Sequence, residues 1–139
     1  MSRFLAILVA AMLALAGCSS GDTSSSTEAA TSSAAPPSLI HSTVIDLELP
    51  PGTKISSHAD GLEIWDPPGS QADTIAAIKP KLPIGKELKG FPWCSETTDP
   101  TSGSVEWRWG GPAGAYDITL ARDGELTIEQ TAKPATGCS

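Results

Sequence analysis

The sequence predicts an α+β fold: a two-layer domain in which an antiparallel β-sheet, built from a C-terminal three-strand meander plus N-terminal strands, is covered by one short helix and closed by one disulfide. Three observations carry this. Between Val105 and Ile128, three segments alternate apolar and polar residues with period two. One helical stretch, opened by a capping serine and closed by prolines, stands between two groups of strand-like segments. Two of the three cysteines, Cys94 and Cys138, fall in the C-terminal hundred residues of a chain of 139 that has room for a single domain.

The leader comes first. Residues 1–17 hold 14 apolar residues and one charge, Arg3. The apolar run at residues 4–16 is 13 residues long, which suits a signal-peptide core and falls short of the roughly 20 needed to span a bilayer. It ends in Leu15-Ala16-Gly17-Cys18. These four residues resemble the lipobox of bacterial lipoproteins. The chemistry explains the residue types: a thiol is the strong nucleophile at the junction, the small residues before it fit a peptidase, and Leu15 fills an apolar pocket. The resemblance implies that residues 1–17 are removed, that Cys18 receives a diacylglycerol, and that its new amine is acylated with a fatty acid such as palmitate. At about 0.8 kcal/mol per buried methylene, two or more chains hold a protein stably at a membrane.

In residues 18–38, Cys18 is followed by Ser, Thr, Ala, Gly and Pro, with Asp22 and Glu28 as the only charges. Such a run cannot bury enough surface to offset its conformational entropy, so a disordered tether is expected, with an r.m.s. reach of roughly 25 Å. The globular domain is then residues 39–139. Residues 43–49 alternate, with Ile45, Leu47 and Leu49 on one face and Asp46 and Glu48 on the other, and predict a strand. Residues 54–58 and 62–65 flank Ala59-Asp60-Gly61 and predict a hairpin. Ser70 caps a helix over residues 71–79, Asp73 favours its positive end, and Pro80 and Pro83 stop it. Val105, Trp107 and Trp109, then Tyr116, Ile118 and Leu120, then Leu126 and Ile128 each form one apolar face of a meander strand. Arg122-Asp123-Gly124 is the turn between the last two, and residues 110–114 are expected to form a longer loop between the first two.

With Cys18 assigned to lipid, Cys94 and Cys138 are the remaining thiols. Export permits disulfides, and the two lack the histidine partners of a zinc site, so a bridge is expected, with Trp93 lying on it. Net charge is -7 with a pI near 4.6, which excludes a nucleic-acid binder, because that would need a basic face. No G-x-S-x-G, H-E-x-x-H, phosphate loop or C-x-x-C occurs, so no cofactor, metal or catalytic residue is expected. His58 with Asp60 and Glu63 is the best constellation for chemistry, and a polar hairpin turn explains it as well.

Two further groups are candidates for binding. Trp107 and Trp109, two apart on one strand, project about 7 Å from each other. That geometry suits a core face, and equally a platform on which sugars or acyl chains stack; Trp65, opposite in phase to Leu62 and Ile64, is the tryptophan expected to be exposed. Lys79, Lys81, Lys86 and Lys89 fall within eleven positions with Glu87 as the one acidic residue among them, a basic patch or a solvated loop.

The organisation of the whole chain resembles small lipoproteins of actinobacteria, of the mycobacterial kind, in which a lipobox, a Ser/Thr/Ala tether and a disulfide-containing domain of similar size recur. Ile84-Gly85, Gly90, Pro92, the Trp107/Trp109 strand and Asp123-Gly124 also resemble, in order, landmarks of the SmpA/OmlA outer-membrane assembly lipoproteins, although residues 85–92 are too few for that family's second helix. The lipobox and this organisation imply a lipid-anchored protein on the extracytoplasmic side of the cell membrane. It is expected to be a non-catalytic binding or accessory module whose ligand is an envelope glycan, lipid or protein. The alternative is a subunit of an envelope assembly, recognised through an edge strand of the meander; an enzyme using His58 comes third.

Overall fold

The computed structural model describes residues 40–135 and Cys138. The expected signal peptide, the lipobox with Cys18, and the tether lie outside these residues. The described chain is mostly antiparallel β-structure with one short helix. Its elements are β1 (Ile40–His41), β2 (Glu48–Leu49), β3 (Lys54–Ala59), β4 (Leu62–Asp66), α1 (Gln71–Ile78), a 3-10 turn (Lys79–Lys81), β5 (Trp93–Thr98), β6 (Val105–Gly111), β7 (Gly114–Leu120) and β8 (Leu126–Thr131). No helix among the described residues is long and apolar enough to cross a membrane.

The six-stranded sheet runs β3-β4-β8-β7-β6-β5, and β1 pairs with β2 in a separate two-stranded sheet. The meander forms as its alternation dictates. Trp107 lies opposite Ile118, and Ile118 opposite Ile128, so one row of large apolar side chains crosses three strands on a single face. The β3–β4 hairpin also forms with the expected turn, and β4 docks antiparallel on β8, with Trp65 opposite Leu126 and Glu63 opposite Ile128. β5 was not foreseen. It pairs with β6, with a register shift between Trp93 and Ser95, and its polar Ser95–Thr98 half carries no apolar alternation. Both outer strands of the meander are therefore paired, and the expectation of an open meander edge is overturned. Among the described residues, the outer edges of the six-stranded sheet belong to β3 and β5.

The helix begins as expected. The Ser70 hydroxyl accepts from the Asp73 amide while the Asp73 carboxylate accepts from the Ser70 amide at 3.0 Å, a complete capping box. Ile78 is fully buried and Leu82 nearly so. Eight helical residues cannot cover six strands. The remainder of the apolar face is covered by irregular chain: Val44, Ile45, Leu47 and Leu49 from one segment, Leu88 from another.

Two further expectations need correction. Residues 43–49 do not form a strand; a turn occupies residues 43–45, closed by the Asp46 amide donating to the Ser42 carbonyl at 3.1 Å and the Ser42 amide donating to the Leu47 carbonyl at 2.9 Å. Only Glu48–Leu49 is extended. Residues 110–114 are not a long loop, since β6 and β7 continue to the Gly111–Gly114 pair and Pro112-Ala113 alone make the turn. Glycine is required there, because a Cβ on Gly114 would stand 2.4 Å from the Thr131 carbonyl, and one on Gly110 2.4 Å from the Ala135 side chain. That close approach lets the chain after β8 lie against β6, where the Ala135 amide donates to the Gly111 carbonyl. Cys138 thereby reaches Cys94 on β5, and the two are joined by a disulfide with a Cα–Cα distance of 4.8 Å.

Candidate functional site

The tryptophan platform is overturned by burial. Trp107 and Trp109 are fully buried and Trp65 is 6% exposed, so none of the three offers a face to a ligand. Their indole nitrogens explain the placement. Trp109 Nε1 donates to the carbonyls of Lys86 at 3.1 Å and Pro83 at 3.3 Å, fastening an irregular loop to the sheet. Trp65 Nε1 donates to Glu63 Oε2 at 3.2 Å. Trp107 Nε1 is buried without a partner among the described residues. Trp93 packs edge-on against Trp109, ring centroids 4.8 Å apart.

Trp65 is inside because β4 is turned over relative to the expected phase. Glu63 and Trp65 face the core, while Leu62 and Ile64 are half-buried on the other face. Glu63 is only 1% exposed. Its Oε1 accepts from the Thr43 amide at 2.9 Å and the Thr43 hydroxyl at 2.6 Å, and its Oε2 accepts from the Trp65 indole. Burial pushes its pKa up, but the hydroxyls of Ser42 and Thr43, the Thr43 amide and the indole together outweigh that and hold the carboxyl below its ordinary value. Glu63 is therefore a charged fastening for the turn at residues 42–47. The catalytic constellation does not assemble: His58 stands opposite Glu63 in register but is exposed, whereas the oxygens of Glu63 are occupied elsewhere.

The lysines do not form a shared patch. Lys79 pairs with Glu96 at 2.6 Å, Lys81 with Glu48 at 2.9 Å, and Lys89 donates to the Val44 carbonyl at 2.8 Å. Hydrogen bonding and attraction from Lys81 hold the Glu48 carboxyl below its ordinary value. Three of the four lysines thus fasten irregular chain or an edge strand, and Lys86 is left exposed.

Three concavities lie on the outer face of the sheet and at the end that carries His58 and Lys89. One, of about 290 Å³, is on the outer face of the sheet, beneath the chain that leads to Cys138. There Arg108 Nε donates to Asp117 and its Nη2 lies 3.6 Å from Glu106 Oε1. The other two, of about 220 and 300 Å³, adjoin at one end of the sheet and share Asp60, Gly61 and Gln130. Of the residues at that end, the sequence singled out His58, the Asp60-Gly61 turn and Lys89, without bringing them together. Gln130 and Phe91 went unnoticed, because a polar residue ending a strand and a lone phenylalanine between glycine and proline carry no periodic signal.

No protein-family model matches this chain, and no curated protein or solved structure matches it.

Proposed function

We propose that this chain is a cell-envelope lipoprotein, attached through lipid on Cys18 to the extracytoplasmic side of the cell membrane, whose domain is a non-catalytic binding or accessory module. The observation that carries this is the Leu15-Ala16-Gly17-Cys18 sequence directly after a 13-residue apolar run headed by Arg3. The resemblance to small actinobacterial lipoproteins supports it, as does a Ser/Thr/Ala-rich spacer between Cys18 and the first described strand. Cys18→Ala should abolish both incorporation of radiolabelled palmitate and fractionation with membranes. A Cys18→Ala protein that is still labelled and still sediments with membranes would overturn the anchoring.

An assembly subunit is the second reading, and one observation favours it. All six residues of β3 are exposed along a free sheet edge, and Ile55 there is 49% exposed. An exposed edge can receive a strand from a partner. Crosslinking in whole cells from residue 55 should then recover one stoichiometric neighbour.

A further inference from the structure

We propose that the end of the sheet formed by the β3–β4 turn, the Leu88–Phe91 turn and the end of β8 is a binding site for a neutral saccharide. This rests on the binding-module reading above and gives it a place and a ligand class. Two adjoining clefts share Asp60, Gly61 and Gln130 as a common floor, and the larger, about 300 Å³, reaches the lower end of the roughly 300–1,000 Å³ range of small-molecule sites.

The backbone of that floor is fixed. The Gln130 amide donates to the Gly61 carbonyl at 2.6 Å, and Gly61 has a φ of +71 with the Gln130 carbonyl only 3.2 Å from where a Cβ would stand. One wall is Phe91, whose ring is held edge-on to Tyr116 with centroids 5.4 Å apart. The turn carrying it is closed by two hydrogen bonds between Leu88 and Phe91, both 2.9 Å, and places Lys89 at a φ of 50. A lysine there costs conformational energy that asparagine or glycine would not. Lys89 and His58 line the adjoining smaller cleft, the Lys89 ammonium holding the Val44 carbonyl and retaining two more N–H donors.

The side chains are suited to hydroxyl groups. The Asp60 carboxylate, the Gln130 amide and the His58 imidazole are all exposed, and none has a side-chain hydrogen bond among the described residues. Together they supply planar acceptors and donors, which a ring bearing vicinal hydroxyls can engage in both directions. Phe91 supplies an apolar wall for a sugar's C–H face. The lining carries one carboxylate, Asp60, and one ammonium, Lys89, so a phosphate-bearing ligand gains little net attraction, and the polar walls do not suit an acyl chain.

The test uses the full chain in detergent micelles, titrated separately with mannotriose, cellotriose and chitotriose, and follows amide NMR shifts. The expected result is saturable movement of Gly61 and Gln130 with at least one of them, weakened about ten-fold or more by Asp60→Ala and by Gln130→Ala. Glu129→Ala, on the opposite face, should leave binding unchanged. The site is overturned if no trisaccharide moves those amides at about 10 mM, or if binding survives both substitutions. Either result leaves the anchoring on Cys18 intact, since that is read by fractionation.

Discussion

Two segments of this chain carry the same alternating pattern and fold differently. Residues 105–109 place Val105, Trp107 and Trp109 on one face and polar residues on the other, and they become a central strand. Residues 45–49 do the same with Ile45, Leu47 and Leu49, yet only Glu48–Leu49 is extended. All of these apolar residues are buried in one core. Alternation therefore records which side chains seek burial; the available backbone partners decide whether they reach it as a strand. Val105–Gly111 has a neighbour on either side. The earlier segment joins no strand of the six-stranded sheet, and only Glu48–Leu49 finds a partner, in Ile40–His41. Its backbone closes on itself between Ser42 and Leu47 and is fastened from outside by Glu63, and the four buried side chains from Val44 to Leu49 serve as a lid over the sheet.

The largest effect that should separate the two regions is in the sheet. Trp107→Ala empties a fully buried site beside Ile118, and large-to-small changes of this kind cost about 3–5 kcal/mol. The loss should appear in global unfolding by denaturant and should accelerate hydrogen exchange in the lid and the meander alike. Exchange that quickens in the lid alone would mean that the sheet is not the shared foundation.

Glu63→Gln tests the lid by itself. It keeps the shape and removes the charge that Thr43, Ser42 and Trp65 address, at a cost of about 1–3 kcal/mol for hydrogen bonds to a buried carboxylate. Amide exchange should quicken at Ser42, Thr43 and Asp46 while Ile118 and Ile128 stay protected. The pH dependence has a fixed sign. The folded pKa of Glu63 lies below the ordinary value of 4.5, so its contribution is complete above that pH and is lost as the pH falls through the folded value. The wild-type lid should loosen on acidification below about pH 4.5, and the Gln variant should show a weaker dependence over the same window. An identical acid profile in the two proteins would remove Glu63 from its role.

Much of the sheet was legible because each strand of the meander meets the rule that one face is apolar. The hairpin and the capped helix were legible for equally local reasons, Asp60-Gly61 and Ser70 with Asp73. What was not legible depended on partners distant in sequence. Nothing near Glu63 announces that Thr43 will come to it, and without that contact a carboxylate next to leucine and isoleucine reads as the solvent face, which reversed the phase of β4 and misplaced Trp65. β5 was missed because its polar half pairs through backbone alone. The lysines read as a patch because they are close in sequence; Glu48, Glu96 and the Val44 carbonyl draw them apart. At the proposed saccharide site the same blindness held, since Phe91, Asp60 and Gln130 meet only after β4 has docked on β8.

The smallest effect should come from Lys89→Asn, where two terms oppose. Asparagine tolerates the left-handed backbone at residue 89 better than lysine, which favours the turn by a fraction of a kcal/mol. It also withdraws the ammonium from the Val44 carbonyl, a contact on the lid's own turn worth about 1 kcal/mol. Global stability should therefore change by less than about 1 kcal/mol, while amides of the turn exchange faster than in wild type. The two readouts are separable because the turn residue sits on the loop fastened by Trp109, whereas its side chain reaches the segment fastened by Glu63. If stability falls by several kcal/mol, the lid and the sheet are one cooperative unit, and the carboxylate is not what distinguishes two segments with one pattern.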